Sequence, residues 1–560
     1  MQWRTNLILL CVALGAIEWA GVLVAPSPAP HIFYSDLESA PNTGGENNAG
    51  AIVTIYGKNF GETRGDSFVT IGKGFAANYK EWTDTKIALQ LGAKAETGSL
   101  TVHAGKKQSN SAPFMVRAGR IAFVSPKGSD HANGDFFSPW KTILKARNSS
   151  KPGDVIYLMD GISQVVDDGT GWSAALTLGA NDCGSVLPRA LVAYPGATAT
   201  IGGINGPPVG IRASNPSERG GACAGGWVFA GLTLRGQSVA IALEGPSNNW
   251  RLVDNDISCP NGDGATACVE TSRASHIQFF GNNVHDAGKA DASALYHGVY
   301  FSTDSNHIDM GWNTVANIRG CRGVQIHSSP LHGGGPNDPT GHNQYDISIH
   351  DNVIHDTQCD GIVFATVDPS QGKIEAYNNI IYNAGQGPSN PEKSGNWSCI
   401  YVAGTTNTGP SGGGTVEIYN NTLAQCGTFA KPPYDDARAS VMNGEHNSNL
   451  AIRLRDNIFY QPNTVPYIVG RGFTGSHNLV YGNGSLPLAQ SLHQNPMFVD
   501  AGHDDFHLAS NSPARHTGTE TESSFDKDGI PRGGSSGHDV GAFQYSEAAP
   551  LSDEAAANRK

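Results

Sequence analysis

Asn255-Asp256-Ile257, Asn282-Asn283-Val284, Asn313-Thr314-Val315, Asn352-Val353-Ile354, Asn379-Ile380-Ile381, Asn421-Thr422-Leu423, Asn457-Ile458-Phe459 and Asn478-Leu479-Val480 are one phrase written eight times. The intervals between successive asparagines are 27, 31, 39, 27, 42, 36 and 21 residues, so a fixed frame carries loops of variable length. One such unit cannot bury its apolar face alone, and stacking in register makes a continuous core. The phrase therefore predicts a solenoid of short strands. Asparagine at a tight corner is expected to adopt left-handed φ and to hydrogen-bond the next asparagine of the stack. Its role is structural.

Composition agrees with an all-β chain. Of 560 residues 70 are glycine and only 16% are charged, which fits many turns between short strands. The net charge of −13 argues against non-specific nucleic-acid binding, which needs a basic footprint. Residues 1–25 place Arg4 before an apolar run and a Pro-rich exit, as in a signal peptide or an uncleaved N-terminal anchor. Export follows as an expectation, with membrane contact only if that segment is retained. Of nine cysteines, Cys11 lies in this segment, and the other eight permit disulfides. Cys321 and Cys359 recur at the same place in consecutive coils, Cys259 could close a loop with Cys268, and Cys183 could tie to Cys223. No CxxC is present, so no metal centre is assigned.

Residues 30–118 read differently. IVTIYGKNFG (52–61), FVTIG (68–72), WTDTKI (82–87), GSLTV (98–102) and SNSAPFMV (109–116) are short strands parted by glycines, a small β-sandwich. This segment resembles the IPT/TIG immunoglobulin-like fold, which implies a spacer or glycan-adjacent module. Next come IAFVSPKGSD (121–130), SPWKTI (138–143) and KPGDVIYL (151–158), a strand, a helical turn and a strand. The helix is expected to cap the open end of the solenoid. This passage resembles the opening of right-handed parallel β-helix proteins, and NPMFVD (495–500), DFHL (505–508), SPA (512–514) and HDVGAF (538–543) resemble their usual exit. The resemblance implies a right-handed parallel β-helix over 121–545; the tail at 546–560 is polar and alanine-rich and is expected to be disordered.

The strands after the Asn phrases align as YHGVYFS (296–302), CRGVQIH (321–327), CDGIVFA (359–365) and WSCIYVA (397–403). Alternate apolar residues point inward, which sends Tyr300, Gln325 and Tyr401 outward in one column, with Ser302 and His327 beside it. His297, Arg322 and Asp360 stand at the corner that opens each strand. Glu270 joins the Tyr300 column one coil earlier and Glu244 lies near it. Parallel strands are about 4.8 Å apart, so His297, Tyr300, Arg322 and Gln325 are expected in one sugar-sized patch. His297, Tyr300, Arg322 and Asp360 are the catalytic candidates; Gln325, His327, Trp397, Tyr401 and Glu270 are the substrate-binding ones. Long insertions at 283–295, 328–345, 368–373, 385–396 and 429–439 flank this face.

Relatives of the right-handed parallel β-helix superfamily include polysaccharide lyases and hydrolases. The resemblance implies an exported protein that cleaves a uronate-containing polysaccharide by β-elimination, with Arg322 neutralising the carboxylate and His297 or Tyr300 as base or acid. Scarce lysine in the central coils departs from lyases that use a Lys/Arg pair. A hydrolase working through acidic residues of the same face, and a non-catalytic surface glycan binder, are the alternatives. No cofactor is required; Glu270 and Glu244 leave calcium open. The expected partner is a polysaccharide, and the expected state a monomer.

Overall fold

The computed structural model describes residues 28–179, 187–213, 225–328, 343–387, 396–404, 412–428, 438–444, 447–533 and 537–547. The signal or anchor segment, Cys183 and Cys223 lie outside them. Residues 31–116 form a mainly antiparallel sandwich, with Ile52–Lys58 paired to Lys86–Leu91 and Phe68–Ile71 paired to Gly98–Ala104, and one short parallel pair, Ser39–Ala40 with Ala112–Val116. From Ile121 onward the pairing turns parallel and stays so to His493.

Each coil is a triangle of three strands. One coil runs Asn283–Ala287, His297–Ser302 and Ile308–Gly311, and the next runs Thr314–Ile318, Val324–His327 and Ile347–His350. We call the three stacked faces C, B and A in that order. Their inward residues, such as Val315, Val324 and Ile349, merge into one continuous core. A parallel connection of this kind is right-handed, and the fold is a right-handed parallel β-helix. The predicted cap is present: helix α1, Ile143–Ser149, buries Ile143 and Ala146 against the core, and the Thr142 hydroxyl accepts from Lys145 N at 3.1 Å.

The eight asparagines fill the corner between faces A and C as an unbroken ladder. Asn313 donates both its backbone N–H and its Nδ2 to Asn352 Oδ1, at 2.9 and 2.8 Å. Asn352 donates in the same way to Asn379, at 3.0 and 3.0 Å, and its Nδ2 also reaches the Met310 carbonyl at 3.0 Å. The other steps repeat the pattern. The expectation of left-handed φ at these asparagines is corrected. It is the preceding residue, among them Asp254, Gly281, Trp312, Asp351, Asn378 and Asp456, that has φ between +52° and +63°. That residue turns the corner, and the asparagine closes it.

Two additions cover two faces. The sandwich packs on the first coils of face A, where Phe123, Tyr157, Val192, Val228 and Phe280 point outward into its core. The Tyr157 hydroxyl donates to Ile52 O and accepts from Ile52 N, both at 2.7 Å, which splices the domain edge to the solenoid. The segment after Asn495 lies on face C, with Phe506, Ala542 and Phe543 against Ile380, Tyr382 and Ala424. It also meets the sandwich: Lys58 pairs with Asp528, and His31 packs on Phe525 with centroids 4.3 Å apart. Disulfides Cys259–Cys268 and Cys321–Cys359 form as expected, and Cys399–Cys426 adds a third pairing that spacing had not indicated.

Two measurements follow. Asn352→Ala strands the Asn313 N–H and the Met310 carbonyl in the interior, at about 1–3 kcal/mol per unsatisfied group, while the Asn313 amide keeps the carbonyls of Phe279 and Gly311. Denaturant titration should show a loss of that size, and a similar one for Asn255→Ala, which strands the Leu232 N–H and the Phe229 carbonyl. His507 sits between Asp505 Oδ1 at 2.6 Å and Asp528 Oδ2 at 3.0 Å, with its ring on Phe543, and Asp528 in turn faces Lys58 and Asp526. Burial opposes its protonation, but the two carboxylates outweigh burial and raise its pKa to about 9. A raised pKa contributes stability that is complete below about 6.5 and is lost as pH rises through about 9. The melting temperature of His507→Gln should therefore fall less between pH 6.5 and 9 than that of the wild type.

Candidate functional site

Face B carries the candidate residues. Its corner column, read along the axis by register, is Val209, Val239, Ala267, His297, Arg322, Asp360, Ser398 and Ala439. Apolar side chains occupy both ends and polar ones the middle four coils. Gly298, Gly323 and Gly361 follow the first three polar members because a Cβ there would come within 2.7 Å of the carbonyl of the next coil. The His-Gly, Arg-Gly and Asp-Gly pairs are thus a polar residue set on a corner too tight for a side chain behind it.

The middle column is Arg212, Ala242, Glu270, Tyr300, Gln325, Val363, Tyr401 and Met442. The predicted register holds, except that Glu244 pairs with Ser272 and so falls in the column of Ser302 and His327. Glu244 faces Arg212 at 3.8 Å. Glu270 accepts from the Thr266 hydroxyl, and burial raises its carboxyl pKa against that bond and the Arg212 charge.

Contacts join the predicted patch. The Tyr300 hydroxyl lies 3.0 Å from His327 Nδ1. The His297 ring stands edge-on to Tyr300 with centroids 5.6 Å apart. Arg322 Nη1 donates to Gln325 Oε1 at 2.7 Å, and its Nε is 3.6 Å from Asp360 Oδ2. Ser398 Oγ donates to Asp360 Oδ1 at 2.7 Å. The sequence reading missed Ser398 as a member of this set, although its alignment with Asp360 was there to be read.

Burial sorts the candidates. Arg322 keeps 20% of its side chain exposed, and Tyr300, His327, Glu270 and Tyr401 are partly exposed. His297 and Asp360, expected at an outward corner, are 2% and 0% exposed, so they lie behind the surface rather than on it. Trp397, expected to stack on sugar, is also 0% exposed. Its aligned neighbours Tyr296, Cys321 and Cys359 are buried too, which makes that whole position part of the core. Tyr401 stands three coils from Tyr300, about 14 Å away by strand spacing, and packs on Val363, Ala365 and Ala403. His332 and His342 of the 328–345 insertion and Tyr434 of the 429–439 insertion, expected beside this face as loop contacts or a sugar-stacking surface, lie outside the described residues.

The electrostatics follow from this burial. His297 is held well below its ordinary pKa, first by burial and then by Arg322 and His327, and its Nδ1 is buried with no hydrogen-bond partner. Burial raises the Tyr300 phenol, so it stays protonated near neutrality. Burial also raises the Asp360 carboxyl, against the pull of Arg322 and the Ser398 hydrogen bond. No group of three or more His, Cys, Asp or Glu with metal-binding placement occurs among the described residues.

Comparison with known proteins places the two parts differently. Residues 39–115 match the family model of the IPT/TIG domain. No curated protein matches the chain. Among solved structures, a pectate lyase aligns at TM-score 0.47 and 13% identity over 77% of this chain and 97% of its own. A rhamnogalacturonan lyase aligns at TM-score 0.38 and 13% identity over 68% and 91%. A lacto-N-biosidase from Eubacterium ramulus aligns at TM-score 0.35 and 12% identity over 66% and 65%. The matched segment, residues 39–115, is an IPT/TIG domain, and it is docked on a right-handed parallel β-helix.

Proposed function

We propose that this chain is an exported carbohydrate-active enzyme that cleaves a uronate-containing polysaccharide by β-elimination on face B. The observation that carries the reading is the juxtaposition of a partly exposed Arg322 with the Tyr300–His327 pair. β-Elimination needs three things: a cation against the uronate carboxylate, a base for the proton alpha to it, and an acid for the departing glycosidic oxygen. Arg322 supplies the first. His327 takes the alpha proton, the electron pair forms the new carbon–carbon double bond, and the glycosidic carbon–oxygen bond breaks. Tyr300, kept protonated by burial, gives its proton to the leaving oxygen.

The two buried candidates become positioning residues in this reading. Asp360, fixed by Ser398, holds the guanidinium from behind, while Gln325 holds it from the side. His297 is uncharged and packs edge-on to the Tyr300 ring, setting its orientation without adding a competing charge. A hydrolase reading has less support. It needs a carboxylate pair about 5–9.5 Å apart; Glu270 and Asp360 stand three coils apart, about 14 Å by strand spacing, and Glu244, which distance allows beside Glu270, faces Arg212 at 3.8 Å. The glycan-binder reading keeps the same surface and drops turnover.

A panel of uronate and neutral polysaccharides tests the reading by the ultraviolet absorbance of unsaturated uronide. Wild type should produce it. Arg322→Ala and Tyr300→Phe should each lower the rate by about 10²–10³-fold, the size of losing one preorganised charge or donor. Reducing ends without that absorbance would establish hydrolysis, and binding without products would establish an adhesin. Asp360→Asn should raise KM more than it lowers kcat, because it loosens Arg322 without removing it. An unchanged KM would remove Asp360 from the positioning role.

A further inference from the structure

The Tyr300 hydroxyl and His327 Nδ1 are 3.0 Å apart, and the two rings lie within 20° of parallel. Resting on the lyase reading of face B, we propose from this contact that the elimination there is syn. Its substrate is then a uronate whose glycosidic oxygen at C4 is equatorial, the gluco or manno configuration, and not one whose oxygen is axial, the galacto or gulo configuration.

Stereochemistry sets the demand. In a pyranuronate with an equatorial carboxyl the C5 proton is axial. Where O4 is axial as well, the proton and the leaving oxygen project from opposite faces of the ring. Base and acid must then stand on either side of the sugar, each within about 2.6–3.2 Å of the atom it serves, with the ring between them. Where O4 is equatorial, proton and oxygen are gauche, and one side of the ring gives access to both.

The site provides one side. Tyr300 and His327 stand on adjacent coils of one wall, Tyr300 in register with Gln325 and His327 with Ser302. Their contact closes the space in which a sugar ring would have to sit to be worked on from both faces. Arg322 opens the strand that carries His327 and turns its guanidinium onto Gln325, so the uronate carboxylate is held from the same wall. The other titratable groups of these coils offer no opposite side. His297 and Asp360 are buried behind the wall, and Glu270 stands in the Tyr300 column one coil earlier, bonded to Thr266. Among the described residues of face B, acid and base reach a bound sugar from beneath.

The step balances within the pair. The C5 proton goes to the His327 imidazole, the electron pair of the C5–H bond becomes the C4–C5 double bond, the C4–O4 bond breaks, and O4 takes the Tyr300 phenol proton. The imidazolium and phenolate left behind are hydrogen-bond partners, so the proton passes from one to the other and the site is reset without an outside acid.

The test gives the full chain six polymers and follows the ultraviolet absorbance of unsaturated uronide. Polymannuronate, a glucuronate homopolymer and hyaluronan have equatorial O4 on the uronate; polyguluronate, polygalacturonate and rhamnogalacturonan have it axial. At least one polymer of the first set should be cleaved with kcat/KM about 10²-fold or more above every polymer of the second, the size of misplacing a catalytic group. Tyr300→Phe and His327→Ala, with melting temperatures kept, should each slow that cleavage by about 10²-fold or more. Cleavage of the second set at an equal or higher rate overturns the syn assignment and leaves the lyase reading in place. Unsaturated product from none of the six removes both. Full activity in the two variants also overturns the proposal, because the preference would then come from groups other than this pair.

Discussion

Everything in this molecule hangs on a side-chain amide that is donor and acceptor at once. In the ladder from Asn255 to Asn478 each Oδ1 after the first accepts two bonds from the asparagine before it, and each Nδ2 before the last reaches both the next asparagine and a carbonyl of an earlier coil. These groups are buried, where an unmade hydrogen bond is costly. A coil cannot slip by a residue without breaking several bonds. The register so fixed aligns Tyr300 with Gln325 and His297 with Arg322, residues that no local contact in sequence would bring together.

The three faces are treated unequally. Face A begins with strands apolar on both sides, and the IPT/TIG domain buries the outer side. Face C gains apolar outward residues late, at Ile380, Ile458 and Leu479, where the C-terminal segment lies over it. Face B has its outward polar residues in the middle coils. Covering two sides leaves rigid strands on the third to present a cation, a phenol and an imidazole.

How much of this was legible depends on whether a feature recurs. The ladder requires asparagine at each step, so the sequence repeats it and the fold can be read. The left-handed residue before it is Asp, Asn or Gly in six of the eight coils, Asp254, Gly281, Asp351, Asn378, Asn420 and Asp456, with Trp312 and His477 the exceptions. That preference was present in the sequence, and the left-handed turn was assigned one position too late because the invariant asparagine drew the reading to itself. The outward columns were legible from alternation alone. The burial of His297 and Asp360 was not, since alternation gives direction but not what lies above a side chain. Trp397 could have been corrected from the alignment, where Tyr296, Cys321 and Cys359 share its place and are core residues. The docking of the sandwich rests on pairings such as Arg251 with Glu38, more than two hundred residues apart, and left no periodic trace.

A stacked solenoid has two free ends, and each is where unwinding can begin. Here the first domain and the last segment touch through Lys58, Asp528, His31 and Phe525. The molecule is therefore fastened like a strapped bundle, its head tied to its tail along one flank. Fraying at either end is therefore resisted by contacts from the other, and an event that is normally local becomes coupled. Removing the C-terminal strap would take away one of the two holds on the N-terminal module and leave it seated on face A by its own packing.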